Sequence, residues 1–367
     1  MPGAYLGAMP LRVCWVVAML LAGLVTSCGG SGQASLPARH GSAVSARPST
    51  GGSTNPDRAV RAPRTTVTIV GDIMLGRGVA AANPTTDPAA PLRPMRALLH
   101  GADLTVGNLE STLSDHGRPR QGGDSFAADP QALPAMARLG FDALSLANNH
   151  TGDYGPAALV DTVAAFRGSG VRSFGAGRDL RAAARPVVLE RHGVRFGFLG
   201  FNAIGETPRA RPGHPGALSV RMPPRTGPLN RRDLARVLHA VRRLSHRVDV
   251  VIVMPHWGAQ YTHEALPIQR RVGRRLVDAG ADLVVGGHPH WVQGLERHHG
   301  AVIAYCLGNF VFDMDFSEQT MEGVALTATF RGDRLRGVAL TPYRLDARFA
   351  PHVVHGAAAR AILAQAH

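Results

Sequence analysis

Along the chain, short apolar runs alternate with longer segments whose apolar residues recur every three or four positions, the texture of strands and helices packed in layers. Thr65 to Val70 predicts a strand, 130–139 a helix opened by Asp129-Pro130, Asp142 to Leu146 a strand, and Gly155 to Phe166 a helix with Pro156 near its first turn. Val187 to Leu189 and Val194 to Phe201 predict a hairpin around His192-Gly193. Helices over 231–246 and 266–279 lead into strands 249–254 and 282–285, the second helix ending at Gly280. The stretch 301–343 predicts further strands, with turns at Asp313 to Thr320 and at Arg331-Gly332-Asp333. Strands alternating with helices, followed by more strands, give an α/β sandwich around mixed sheets.

Upstream the pattern differs. Arg12 precedes the apolar stretch Val13 to Val25, which runs into Thr26-Ser27-Cys28-Gly29. A short positive region, an apolar core and small residues describe a secretory signal over residues 1–27, too short for a membrane span. Small residues followed by cysteine resemble the bacterial lipobox, which implies lipidation of Cys28 and an extracytoplasmic chain held to the membrane by that anchor. An uncleaved anchor and ordinary cleavage nearby are the alternatives. Residues 28–63, rich in Gly, Ser, Pro and Arg without apolar periodicity, read as a flexible tether. A single domain is expected over 64–345, with a helical tail over 346–367. With Cys14 discarded and Cys28 acylated, Cys306 in the apolar run Val302 to Leu307 is left as a core thiol without a disulfide partner.

The chain has 367 residues and a net charge of +14, and all 40 of its basic residues are arginine. Such a balance can attract nucleic acid, anionic lipid or a polyanionic polymer. The arginines are scattered and lack interleaved aromatics, which argues against a nucleic-acid groove and leaves a polyanionic partner open. The absence of lysine excludes a P-loop, and with it ATP-driven ligation by that motif.

Candidate chemistry gathers after the predicted strands. Gly71-Asp72-Ile73-Met74, Gly107-Asn108-Leu109-Glu110, Ala147-Asn148-Asn149-His150, Pro255-His256-Trp257, Gly286-Gly287-His288-Pro289-His290 and Gly308-Asn309-Phe310 each follow an apolar run. Any one of these is an ordinary turn. If the strands share a sheet edge, all six converge where open α/β sheets place ligands. Asp72 and Glu110 would then offer anionic oxygen, Asn149 an amide oxygen, and His256, His288 and His290 ring nitrogens, a set suited to one or two divalent ions. His298-His299, before Gly300 in a polar hairpin, reads as exposed instead.

The succession GDIMLGRG, VGNLES, SLANNHTGDYG, MPHWGAQY, DAGADLVVGGHPHWVQG and YCLGNFVFD resembles the bacterial capsule-synthesis CapA family, associated with poly-γ-glutamate capsules, over about residues 66–345. That family in turn looks like the calcineurin-like metallophosphoesterases, which implies an αββα sandwich of two mixed β-sheets flanked by helices, with a dinuclear metal site. The resemblance carries the first aspartate to Asp72, a bridging carboxylate to Glu110, the Asn-His pair to Asn149-His150, and the three later histidines to His256, His288 and His290. Met74 stands where metallophosphoesterases carry a histidine, Gln260 where a glutamate is common in CapA-like chains, and Gly287 where a histidine is common. Glu264 could take over from Gln260 only if the local helix begins early.

The resemblance implies metal-assisted hydrolysis or transfer at a phosphoester or related anionic bond, with Mn, Fe, Zn and Mg undistinguished. His150 would protonate the leaving group or stabilise the transition state rather than bind metal, Asn149 would orient through its amide, and Arg77 would contact an anionic substrate. The rival reading is a non-catalytic, polymer-binding or assembly subunit of a capsule synthesis or export complex. A peptidase or amide ligase acting on γ-glutamyl bonds is a third.

Overall fold

The computed structural model describes residues 62–84 and 87–366. The expected signal peptide 1–27, Cys28 and nearly all of the tether lie outside these residues.

One sheet has the order β16 (Pro351–Val353), β15 (Arg334–Leu345), β14 (Glu322–Arg331), β1 (Arg64–Ile73), β2 (Leu104–Leu109), β3 (Ala143–Ser145) and β4 (Arg172–Phe174), and β13 (Asn309–Val311) pairs with the end of β1. The second has the order β11 (Val292–His298), β12 (Ala301–Leu307), β10 (Leu283–Val285), β9 (Val250–His256), β7 (Val194–Asn202) and β6 (Val187–Arg191). A small ladder joins β5 (Ala176–Gly177) to β8 (Gly216–Ala217). Both sheets are mixed. β1 to β4 run parallel while β14 to β16 run antiparallel, and the parallel group β7, β9, β10 and β12 is flanked by antiparallel β6 and β11.

Three apolar layers hold the stack. Val67, Ile69, Val106, Leu326 and Phe330 of the first sheet meet Phe196, Phe198 and Ile252 of the second, and Phe196 sits edge-on to Phe330 with centroids 5.4 Å apart. Helices cover the outer faces. Leu92, Leu99, Leu133 and Met136 pack on the first sheet. On the second, the helix Arg231–Ser245 buries Leu234, Val237, Leu238, Val241 and Leu244 at three- and four-residue spacing. Asn230 starts that helix by accepting the backbone N–H groups of Arg232 and Asp233. Each such buried side chain contributes roughly 1.5–3 kcal/mol of transfer free energy. The result is the expected αββα sandwich.

The predicted strands and helices recur within a few residues of their expected ends. The strand expected over 249–254 continues to His256, so its histidine is the last residue of β9. The C-terminal segment carries β16 and a helix, Gly356–Ala364, and Ile362 of that helix enters the layer between the sheets. Cys306 is fully buried, and burial pushes its thiol up. Among the described residues, no helix is long and apolar enough to cross a membrane.

Candidate metal centre

The six polar turns converge, but on the facing edges of two sheets rather than on one. β1, β2 and β3 deliver Asp72, Glu110, Asn149 and His150 from the first sheet, while β9 and the turn after β10 deliver His256, His288 and His290 from the second. The sixth turn joins the two. The chain leaves β12 at Leu307, turns at Gly308 with φ +77°, and re-enters the first sheet as β13, pairing Asn309 with Asp72. Gly71 permits this approach, because a Cβ there would lie 2.0 Å from the Gly308 carbonyl oxygen.

Two buried triads form: Glu110, His256 and His288, and Asp72, Glu110 and His290, each with ligand atoms within 4.8 Å of one another. Glu110 belongs to both. Asn149 joins the first triad, its Oδ1 lying 2.8 Å from His256 Nε2. Every carboxylate and histidine expected to hold metal is therefore in one place.

Supporting residues fix these side chains. Asn108 donates to Asp72 Oδ1 at 2.8 Å, and the backbone N–H of His288 donates to Asp72 Oδ2 at 2.9 Å. His290 donates through Nδ1 to Asn309 Oδ1 at 2.8 Å, which leaves Nε2 with its lone pair. His288 and His290 both adopt positive φ, +95° and +62°, backbone conformations that are costly for residues other than glycine. Asn148 builds the preceding turn: its Oδ1 accepts from the backbone N–H groups of His150 and Thr151, and its amide donates to the Leu109 carbonyl.

The donors suit a divalent cation. Both ring nitrogens of His288 and Oε1 of Glu110 are buried without a hydrogen-bond partner. Burial lowers His256 to about 4 and His290 to about 3 and pushes His288 down as well, so the imidazoles are held neutral, the form that binds metal. Burial, reinforced by the charge of Glu110, raises Asp72 to about 7. Glu110 is likewise raised to about 7 by burial, against an opposing pull from His150. Two buried carboxylates crowded together are what a bound cation would favour in ionised form.

His150 stands beside the triads, with Nε2 3.8 Å from Glu110 Oε1. Its Nδ1 donates to Asp153 Oδ2 at 2.7 Å, and Phe126 stacks on its ring with centroids 3.7 Å apart. Arg77 lies over the same Phe126 ring at 4.2 Å. The Arg77 guanidinium is already engaged by Asp313 through Nε and Nη2 and by the Gly123 carbonyl through Nη1, so its first role is to lock this wall in place. Glu264 does not replace Gln260. The helix starts only at Pro267, and Glu264 is an exposed side chain 3.7 Å from Arg270. Met74 is fully buried, its sulfur accepting the Gly76 N–H. At Gly287 a Cβ would lie 2.5 Å from Asp72 Oδ1, so any larger residue would displace that carboxylate.

Sequence reasoning gave no role to Asp153, Asn108 or Asn309, although all three lie inside the motifs. It also passed over Glu206, whose charge acts on Glu110 and His256 and which pairs with Arg225 at 2.6 Å. No motif marks either residue.

Residues 66–314 match the family described as bacterial capsule synthesis protein PGA_cap. The chain is 33% identical over 257 residues to the capsule biosynthesis protein CapA of Bacillus anthracis, covering 69% of this chain and 61% of that one. It is 29% identical over 252 residues to the PGA biosynthesis protein CapA of Bacillus subtilis, covering 68% and 63%. A probable polyglutamine synthesis accessory protein of Mycobacterium tuberculosis is 32% identical over 237 residues, covering 63% and 59%. The chain thus spans about three fifths of the length of these relatives. With the family matched over most of the chain, and with its motifs gathered at one buried centre, the protein belongs to the bacterial capsule synthesis family PGA_cap.

Proposed function

We propose that this chain is an extracytoplasmic accessory protein of capsule or exopolymer synthesis, of the poly-γ-glutamate type, anchored through a lipid on Cys28 and carrying a metal-dependent hydrolase site. The observation that carries the site is the pair of buried triads sharing Glu110, with both ring nitrogens of His288, a member of the first, left without a hydrogen-bond partner. Asp72, Glu110, Asn149, His256, His288 and His290 would hold one or two divalent ions. Such an ion supplies Lewis acidity toward a phosphoester or related anionic bond.

The remaining roles fall to the chain's own groups. Asp153 fixes the His150 ring with Nδ1–H as donor, so that when Nε2 is protonated as well, the imidazolium can give the Nε2 proton to a leaving group and return to the neutral Nδ1–H form. Phe126 keeps that ring from rotating. Asn149 Oδ1 lies 2.8 Å from His256 Nε2, so the amide oxygen and the ring nitrogen would face the same ion.

One observation favours a reduced, non-catalytic centre. Met74 places a thioether, buried and bonded to Gly76, where an imidazole is expected from the metallophosphoesterase pattern. Under that reading the domain binds polymer or assembles with a synthesis and export complex.

Elemental analysis combined with turnover of an aryl phosphodiester decides between the two. Bound metal with turnover, both lost in His288→Ala, supports the hydrolase. Metal without turnover on any ester supports the binding subunit, and unchanged metal content in His288→Ala removes the assignment of the centre.

A further inference from the structure

The arginines of this chain are not equivalent. Some hold carboxylates, as Arg191 holds Asp142 at 2.7 Å and Arg274 holds Glu296 at 2.6 Å. Five others, Arg167, Arg172, Arg178, Arg181 and Arg185, line a single cleft of about 1150 Å³. All five are exposed, and none has a side-chain partner among the described residues. Asp179 is the one acid in the lining, and its carboxylate is spent on the backbone N–H of Ala182 at 2.8 Å.

The cleft lies where the two sheets end. Arg172 is on β4, the last strand of the first sheet, and the opposite wall includes Val188 of β6, the last strand of the second. The helix Pro156–Ala165 contributes Val160. Val160 and Val188 are two of the few large apolar side chains left exposed, at 37% and 48%. Exposed arginines around exposed apolar surface give a cleft that an anion with apolar segments would complement in both charge and contact.

We propose that this cleft binds a linear polycarboxylate, its carboxylates on the five guanidinium groups and its methylene segments against Val160 and Val188. Arginine suits this task because its planar fork takes a carboxylate through two parallel hydrogen bonds. A single-stranded nucleic acid fits less well, since its bases need aromatic stacking platforms. The lining offers only Phe166, which is 7% exposed. The cationic cleft stands on its own geometry; the choice of carboxylate as the anion rests on the capsule reading above. The cleft is separate from the metal centre, with no lining residue in common with the two triads.

The test is fluorescence anisotropy with labelled poly-γ-glutamate, using the full chain at several salt concentrations, with polyphosphate and single-stranded DNA as competitors. Wild type and His288→Ala should bind alike, and more weakly as salt rises. The triple variant Arg172→Gln/Arg178→Gln/Arg181→Gln should lose at least about tenfold in affinity, or roughly 1.4 kcal/mol. It should keep its aryl phosphodiester turnover. Should the triple variant misfold, the single loop change Arg178→Gln is expected to weaken binding and reduce its salt dependence. Unaltered binding in these variants, or preference for DNA or polyphosphate, overturns the inference. Binding lost in His288→Ala alone would place the polymer at the metal centre and overturn it too. A wild type that binds no poly-γ-glutamate also overturns it, while the hydrolase reading still answers to its own turnover assay.

Discussion

Asp153 holds His150. The 2.7 Å bond from His150 Nδ1 to Asp153 Oδ2 is buried, and the same carboxylate oxygen accepts the Phe126 backbone N–H, also at 2.7 Å. One aspartate therefore sets both the tautomer of the imidazole and the position of the ring stacked upon it. Asp153→Asn preserves the shape but offers an amide that can equally donate. Turnover of an aryl phosphodiester should fall roughly 100-fold, with bound metal unchanged. Steady-state kinetics with parallel elemental analysis checks this. Loss of metal along with turnover would mean that Asp153 supports the ligands rather than the proton transfer.

Gly287 has a specific reason to be glycine. Its α-carbon faces Asp72 so closely that a methyl group would stand 2.5 Å from Oδ1 and 3.3 Å from His256 Nδ1. The far end of Asp72 would have to move, and Asp72 is held by Asn108 and the His288 backbone. Gly287→Ala should weaken metal affinity by about 10- to 100-fold, in the range seen when supporting contacts to a ligand are disturbed. Titration with a divalent ion in a competing chelator measures it. Wild-type affinity in Gly287→Ala would show that Asp72 relaxes without consequence.

Much of this arrangement was legible beforehand. Runs such as Val250 to Met254 are apolar on both faces because β9 lies between β7 and β10 with helices and the other sheet covering it, so the strand and the polar residue ending it both stand out. What an apolar run does not reveal is which sheet its strand joins. The strands of both sheets are built from the same residue types, which is why convergence on one edge was expected and a site between two edges was found. Asp153 is the opposite case. It lies in a turn with no periodicity, three residues after His150, and only the folded turn brings the pair together. Glu206 and Arg225, whose charges act on the centre, lie in the loops on either side of β8, where sequence offers no repeat to read.

The layer between the sheets should be the stability core. Phe330 is fully buried on β14, and its ring meets Phe196 of the other sheet edge-on at 5.4 Å. Phe330→Ala removes contacts that join the two halves and leaves a cavity that neither twisted sheet can close. A loss of about 3–5 kcal/mol is expected, read from denaturant unfolding. A change under about 1 kcal/mol would mean that the sheets re-pack freely around the void.

Metal binding should carry a proton signature that only the carboxylates set. Asp72 is raised to about 7 from its ordinary 3.8, and Glu110 to about 7 from 4.5, chiefly by burial in both cases. At pH 6 both hold their protons in the metal-free protein, whereas His256 and His290, lowered to about 4 and about 3, have already lost theirs. A divalent ion requires ionised carboxylates and neutral imidazoles. Binding near pH 6 therefore releases protons from Asp72 and Glu110, and apparent affinity climbs as pH rises toward about 7. Above about 8 the carboxylates are already ionised, so release ends and affinity levels off. Calorimetry in buffers of different ionisation enthalpy counts the protons at each pH. Release that peaks between about 3 and 4 and vanishes by pH 6 would assign the signal to the histidines, and would mean that Asp72 and Glu110 are ionised before metal arrives.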